Sequence, residues 1–238
     1  MDTNRKIAIA TGVLFIIATV ASLAANAVTP DLAATDHLIQ FSAQANRVAA
    51  GSFLYLIAAF SSAGIAVAMY PVLKRVSTGL ALGSVIFRAL EAAAYMVGIV
   101  CLLSLPTLGR QFALAGAAER TTLQTIGNSL VIVHDQSSLL AVFAVCLGAF
   151  MYYILFFQSR LIPRWLSGFG IVAILLMTAA CGLSLFSGNP ITSYIALALP
   201  FALQEMILAI WLIVKGFNPS AVAAGAAKAA PNEQLRAA

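Results

Sequence analysis

The chain has 238 residues, of which 62% are hydrophobic and only 9% are charged. A soluble domain is about 45–50% apolar and about 25% charged, so this composition excludes an ordinary soluble domain, a disordered chain and a nucleic-acid-binding protein. The net charge of +5 does not indicate a nucleic-acid partner, because the basic residues lie in short segments between apolar runs, as in membrane proteins. The composition predicts a polytopic protein whose main partner is the lipid bilayer.

Six runs are long and apolar enough to cross the hydrocarbon core, which takes about 20 residues of helix. In chain order the predicted spans are about 7–28, 48–70, 80–105, 130–157, 165–187 and 194–214. Each is expected to be helical, because lipid offers no hydrogen-bond partners to an open strand. The predicted fold is all-α, with one domain of six transmembrane helices over residues 1–218 and a disordered Ala-rich cytoplasmic tail over residues 219–238.

The first span also has features of a secretory signal, since Arg5 and Lys6 precede it and Ala25-Asn26-Ala27 resembles a cleavage site. Its uncharged run continues to Pro30 and exceeds the core of about 7–15 residues that signals have. We therefore expect this helix to be retained, while cleavage stays open as the alternative.

Basic residues are distributed unequally between the two sides of the predicted bundle. One side holds nine, namely Arg5, Lys6, Lys74, Arg75, Arg160, Arg164, Lys215, Lys228 and Arg236. The other side holds three, namely Arg47, Arg110 and Arg120. Cytoplasmic segments carry the excess of Lys and Arg, so both termini are predicted to be cytoplasmic.

The two longer connections, 29–47 and 106–129, are predicted to lie outside the membrane, each with a short surface helix. In the first of them, Asp36 precedes an amphipathic turn and is the predicted helix cap. Aromatic residues near the cytoplasmic span ends, including Tyr152 and Tyr153, are predicted to form an interfacial belt.

Three charged residues lie deep inside the spans: Arg88, Glu91 and Glu205. A charge at mid-bilayer costs about 2.5–3.5 kcal/mol, so each should face the bundle interior and have a partner. At 1.5 Å per residue, Arg88 and Glu205 lie at nearly the same depth, roughly 12–14 Å from the cytoplasmic side. Glu91 lies one turn from Arg88 on the same helix face. We expect Arg88 to bridge mainly to Glu205, with Glu91 as a second acceptor.

This buried polar cluster has two interpretations. It is a structural clamp between the third and sixth spans, or it is a proton or cation site, because one arginine cannot balance two carboxylates. Pro200 leaves the carbonyl of Ala196 without its helical donor and is expected to kink the sixth span, which suits a pocket mouth. We favour the structural clamp, and the proton or cation site remains as the alternative interpretation.

His134 and Asp135 are predicted to lie at the outer end of the fourth span, as an interfacial polar pair. A protonatable entrance residue is the alternative. A metal would need more ligands than these, and His37 is the only other imidazole, so we expect no metal site. We also expect no cofactor. The sequence contains no HExxH, GxSxG or Gly-rich phosphate loop, and we therefore expect no enzymatic activity.

Small residues recur four positions apart within the spans, at Gly79/Gly83, Ala94/Gly98, Ala144/Gly148 and Thr178/Gly182. Such pairs let helix backbones approach closely. We expect these contacts within the chain, and leave a homo-oligomer and a small-molecule or ion ligand open.

Several segments resemble a bacterial family of integral membrane proteins known as domain of unknown function 4386. They are Arg5-Lys6 leading into Gly12-Val13-Leu14-Phe15, Tyr70-Pro71-Val72-Leu73-Lys74, Phe87-Arg88 with Glu91, the stretch Ser159–Gly168, and Glu205 through Lys215-Gly216-Phe217. The resemblance implies a multi-pass protein of the bacterial inner membrane and implies no activity. Our hypothesis is a structural or regulatory membrane protein with a buried Arg/Glu clamp. The alternative is a transporter or channel for a small solute, a cation or protons.

Overall fold

The computed structural model of the protein describes residues 2–225 and 227. Within them the helices, in chain order, are α1 (Thr3–Val28), α2 (His37–Ala43), α3 (Ala45–Leu73), α4 (Thr78–Leu114), α5 (Ala117–Ser159), α6 (Arg164–Ser187) and α7 (Ile195–Val214). A 3-10 turn, Ile191–Tyr194, leads directly into α7.

Six segments are long and apolar enough to cross a membrane: α1, α3, α4, α5, α6 and Ile191–Val214, which contains α7. Large apolar side chains on their surfaces are exposed in the protein alone, among them Leu23, Val100 and Phe186. A bilayer covers such side chains, whereas a soluble protein buries most of them. The predicted all-α architecture with six spans is confirmed, and the chain is a multi-pass membrane protein.

The connection over residues 106–129 differs from its prediction. In place of a loop over residues 106–129, α4 continues to Leu114 and α5 begins at Ala117, so only Ala115 and Gly116 separate the two helices. The charged residues in this region set where the apolar run ends, but a helix backbone can continue beyond the lipid when its side chains have packing partners. Leu108 and Phe112 supply that packing against a buried core.

The connection over residues 29–47 contains α2, the short helix that the sequence predicts there. Asp36 precedes it but makes no capping hydrogen bond from its side chain. Its carboxylate instead accepts a hydrogen bond from the Gln40 amide at 2.7 Å. Asp36 therefore occupies the predicted N-cap position, but its side chain bonds the Gln40 side chain and not a backbone amide.

The packing divides the chain into two units, and helices α1, α3, α4 and α5 contribute residues to both. The unit formed by Ile17–Phe60 and Ala92–Ala141 has a core of five buried apolar side chains, Leu38, Phe41, Val48, Leu102 and Leu105. Helix α2 contacts α4 at Gly109, where an added Cβ would lie 2.1 Å from the Leu38 carbonyl oxygen. Only glycine allows that approach.

The other unit comprises the described residues of Met1–Ile16, Ser61–Glu91 and Val142–Ala238. In it Arg5 caps the end of α7, donating hydrogen bonds to the carbonyls of Leu212 at 3.0 Å and Val214 at 3.2 Å. A cation at a helix C-terminus is favourable because the helix dipole is negative there. Gly216 follows α7 with φ of +75°, and an added Cβ would meet the Arg5 guanidinium at 2.9 Å.

Three of the predicted small-residue pairs include a glycine at a close helix contact, and in the first of them a Cβ on Gly83 would lie 2.6 Å from the sulfur of Met151. A Cβ on Gly148 would be 3.3 Å from the Ser84 carbonyl oxygen, and one on Gly98 would be 2.9 Å from the Ser137 hydroxyl. Gly79 and Gly182, in contrast, have open space around them. The spacing pattern therefore finds some packing faces and overestimates others.

The tail was predicted to be disordered over residues 219–238. Residues 219–225 are helical, beginning with the Val222 amide donating to the Asn218 carbonyl at 3.1 Å. Apart from residue 227, the remainder of the tail lies outside the described residues.

Candidate functional site

A buried arginine on α4 is the centre of the main polar cluster. The side chain of Arg88 is 3% exposed, that of Glu91 6% and that of Glu205 14%. Together with Ser62 and Tyr152 they form what we call the Arg88 cluster, which draws on α3, α4, α5 and α7. The structure brings the three charged residues singled out from the sequence together in one unit.

On one side of the guanidinium, Arg88 contacts Glu91 and Ser62. Its Nη1 donates to a Glu91 carboxylate oxygen at 3.2 Å and to the Ser62 hydroxyl at 2.6 Å. The Ser62 hydroxyl in turn donates to the Glu91 carboxylate, whose two oxygens lie 2.8 and 2.9 Å away. Ser62 therefore bridges the two charged groups and joins α3 to α4.

On the other side, Nη2 of Arg88 reaches α5 and α7. It donates to the Tyr152 hydroxyl at 2.8 Å and to a Glu205 carboxylate oxygen at 3.1 Å. The guanidinium carbon also lies 5.6 Å from the centre of the Tyr152 ring, which is within the range of a cation–π interaction. The two carboxylates thus lie at almost equal distances from Arg88, rather than as a main and a secondary partner.

Close packing of α4 against α5 allows this geometry. Gly148 of α5 lies against Ser84 and Arg88, and an added Cβ would be 3.4 Å from Cγ of Arg88. Four of the five guanidinium N–H groups have partners, whereas the buried Nε has none. With its Nη groups paired in a buried environment, the arginine avoids most of the cost of an unpaired buried charge.

A second series of side-chain hydrogen bonds lies beside the cluster. The Tyr153 hydroxyl donates to the Gln204 side-chain oxygen, and the Gln204 amide donates to the Leu166 carbonyl at 3.3 Å. The rings of Tyr152 and Tyr153 are 4.6 Å apart. These hydrogen bonds link α5, α6 and α7 next to Glu205.

Sequence reasoning missed Ser62, Tyr152, Tyr153 and Gln204. It placed both tyrosines in an interfacial aromatic belt, which is wrong, because both are fully buried. A hydroxyl inside an apolar helix is compatible with either position, since it can face headgroups or a buried ion. The useful signal would have been the depth of these residues along their helices, counted from the same end of the bundle, because it is close to the depth of Arg88 and Glu205.

The prediction for His134 and Asp135 is wrong in its helix position, because α5 begins at Ala117 and both residues lie well inside it. His134 is partly buried and its Nδ1–H donates to the Gly98 carbonyl oxygen at 3.0 Å. Asp135 is exposed on the helix surface. His134 therefore bridges α5 to α4.

His37 lies buried at the start of α2, where its Nδ1–H donates to the Ala34 carbonyl at 3.1 Å. Cys101, Cys146 and Cys181 are free and buried. Among the described residues no three or more His, Cys, Asp and Glu side chains converge as metal ligands would.

The residues of this arrangement lie within a segment that matches a known protein family. A family model described as a domain of unknown function (DUF4386) matches residues 10–216. The chain belongs to this family. The match to DUF4386 covers all five residues of the Arg88 cluster and leaves out Arg5 and the tail. No curated protein and no solved structure matches the chain.

Proposed function

We propose that this DUF4386 protein has a structural or regulatory role in the bacterial inner membrane and catalyses no reaction. The Arg88 cluster is its structural clamp, fastening four membrane helices together. The observation that carries the proposal is that one guanidinium donates hydrogen bonds to side chains of α3, α5 and α7 as well as to its own helix.

Burial of the cluster supports the clamp. Its three charged side chains are between 3% and 14% exposed, and the two cavities beside Lys215, at the end of α7, do not include any of them. A binding site for a transported solute needs space beside its polar groups. Here the space around Arg88 is filled by hydroxyls, carboxylates and an aromatic ring.

A transport function is the second candidate, and two observations favour it. The cluster contains two carboxyl groups for one arginine, and Glu205 is the most accessible of the three charged side chains, at 14%. A carboxyl group of that kind in a membrane helix is a common element of proton and cation pathways. The flux of ions therefore distinguishes the two functions.

Reconstituted protein is expected to pass no protons or cations above the level of protein-free vesicles. Glu91→Gln is expected to lower the melting temperature more than Glu205→Gln, because Glu91 is more buried and binds both Ser62 and Arg88. Glu91→Gln is expected to lower the free energy of unfolding by about 1–3 kcal/mol, the range for removing a charged hydrogen-bonding group. Dye-based flux assays and thermal melts measure both quantities.

The matched control is Glu119→Gln, an exposed glutamate in the first turn of α5, which should change neither quantity by much. Flux through the wild-type protein that Glu205→Gln abolishes, without loss of melting temperature, would establish transport in place of the clamp.

The orientation of the chain is a further prediction of this proposal. Reporter fusions after the α3–α4 link, residues 74–77, and after residue 225 are expected to report the cytoplasm, because the basic residues are concentrated on that side. A fusion at Gly116, between α4 and α5, should report the opposite side. A cytoplasmic signal at Gly116 would refute the orientation.

A further inference from the structure

A cavity of about 590 Å³ opens at one end of the unit that contains the Arg88 cluster. One wall is the α5–α6 connection around Arg160 and Arg164, and the other is the end of α7 and the segment after it, including Lys215. Since these are the ends of three membrane spans, the cavity lies where the chain leaves the hydrocarbon.

Three cations line this cavity: Arg160, Arg164 and Lys215. All three are exposed, and neither ion pair among the described residues involves any of them. Arg164 lies 5.4 Å over the Phe157 ring, which orders it but leaves its charge unbalanced. Arg164 is also the first residue of α6, where the helix dipole disfavours a cation and favours an anion. The charge pattern is complementary to an anionic ligand.

The walls of the cavity are held in place by hydrogen bonds to backbone carbonyl groups. The Asn218 amide donates to the Leu161 carbonyl at 2.9 Å, and the Asn218 side chain donates to the Arg160 carbonyl at 3.4 Å. Arg5, through its bonds to the last carbonyls of α7, fixes the start of the same segment. The cations are therefore presented by a preformed site, which reduces the entropic cost of binding.

Apart from the polar Asn218, the remainder of the lining is apolar and includes Leu161, Ile162, Trp211 and Phe217. Trp211 packs edge-on against Trp165, with ring centres 6.4 Å apart, and Trp165 is 59% exposed. Tryptophans of this kind mark the level of lipid headgroups. A ligand with an anionic head and an apolar body matches both parts of the lining, whereas a free inorganic ion matches only the cations.

We propose that this cavity binds the phosphate headgroup of an anionic phospholipid, with Arg160, Arg164 and Lys215 around the phosphate and the apolar wall against the glycerol and first methylenes. Basic pockets at the ends of membrane helices bind such headgroups. The site is separate from the Arg88 cluster, and it does not depend on the function proposed for that cluster.

The test compares melting temperatures of the full chain in nanodiscs of phosphatidylcholine alone and of phosphatidylcholine with phosphatidylglycerol. We expect phosphatidylglycerol to raise the melting temperature by about 3–5 °C, as a tenfold excess over a dissociation constant does for a domain of this size. Arg164→Gln/Lys215→Gln should abolish the rise. The control Lys6→Gln/Lys74→Gln removes the same charge from exposed positions that do not line the cavity and should keep it.

Each alternative outcome contradicts the proposal at a different point. Equal loss of the rise in both double variants would mean a general attraction to a negative surface and no site. A rise produced by inorganic phosphate in phosphatidylcholine nanodiscs, as large as that from phosphatidylglycerol, would assign the cavity to a soluble phosphate. A double variant that melts lower than wild type in phosphatidylcholine alone, yet keeps the rise with phosphatidylglycerol, would show that the cations stabilise the fold and do not bind the anionic headgroup.

Discussion

Replacing Arg88 with alanine is expected to lower the free energy of unfolding by about 3–5 kcal/mol, because it leaves buried carboxylates without their countercharge. Glu91 and Glu205 both accept from this guanidinium, and Ser62 and Tyr152 lose a donor as well. We expect little folded protein in detergent, and a melting temperature well below that of the wild type for the fraction that folds.

Arg110→Ala is the matched control, because Arg110 lies on the same helix but is exposed and donates a hydrogen bond to the nearby Thr107 hydroxyl. It should melt like the wild type. The triple variant Arg88→Met/Glu91→Gln/Glu205→Gln tests the cause, since replacing all members of a buried charged group is often neutral. If the triple variant is no more stable than Arg88→Ala, then lost shape rather than stranded charge explains the effect.

Gly109→Ala is expected to be the second most damaging substitution, at about 3 kcal/mol, the upper part of the range for overpacking. The new methyl group would lie 2.1 Å from the Leu38 carbonyl oxygen and 2.9 Å from Cβ of Ser42. Both atoms belong to α2, and the first is backbone, so no side-chain rotation can relieve the clash. Helix α2 must move away from α4 and expose part of its buried face.

Gly79→Ala is the control for this substitution, because Gly79 lies on the same helix α4 and has no atom within 4 Å of an added Cβ. It should be neutral or stabilise by up to about 1 kcal/mol, from the higher helix propensity of alanine. Thermal melts of the two variants in one detergent measure the difference. If the Gly109→Ala and Gly79→Ala proteins have the same melting temperature, α2 is only loosely held against α4.

The sequence predicted the location of the charged residues well, because charge inside an apolar run is rare and costly. Arg88, Glu91 and Glu205 could be paired from depth alone, since helix rise converts a position in the chain into a position in the membrane. It could not predict Ser62 and Tyr152. Hydroxyl-bearing residues cost little in an apolar helix, so their presence carries no information about what they bind.

The bounds of α4 and α5 illustrate a similar limit. Hydropathy reports where side chains leave the lipid, whereas a helix ends where its backbone loses packing or meets a breaker. Pro106 lies inside α4 although it was predicted to begin a loop, because a proline removes one hydrogen bond and the surrounding contacts can compensate for it. The packing of α2 against Gly109 and Gly127 supplies such contacts. This packing is a property of the tertiary structure.

By itself, the sequence determined the fold class, the six membrane spans, the family and the three charged residues that must find partners in the interior. These follow from the cost of placing charge and unpaired backbone in lipid, which every segment meets independently of the others. Only the tertiary structure decided which hydroxyls complete the Arg88 cluster, that α2 packs under glycines of α4 and α5, and that Arg160, Arg164 and Lys215 line one cavity. These depend on how helices distant in the chain meet, which is set by the shape of many side chains together and not by the character of any one of them.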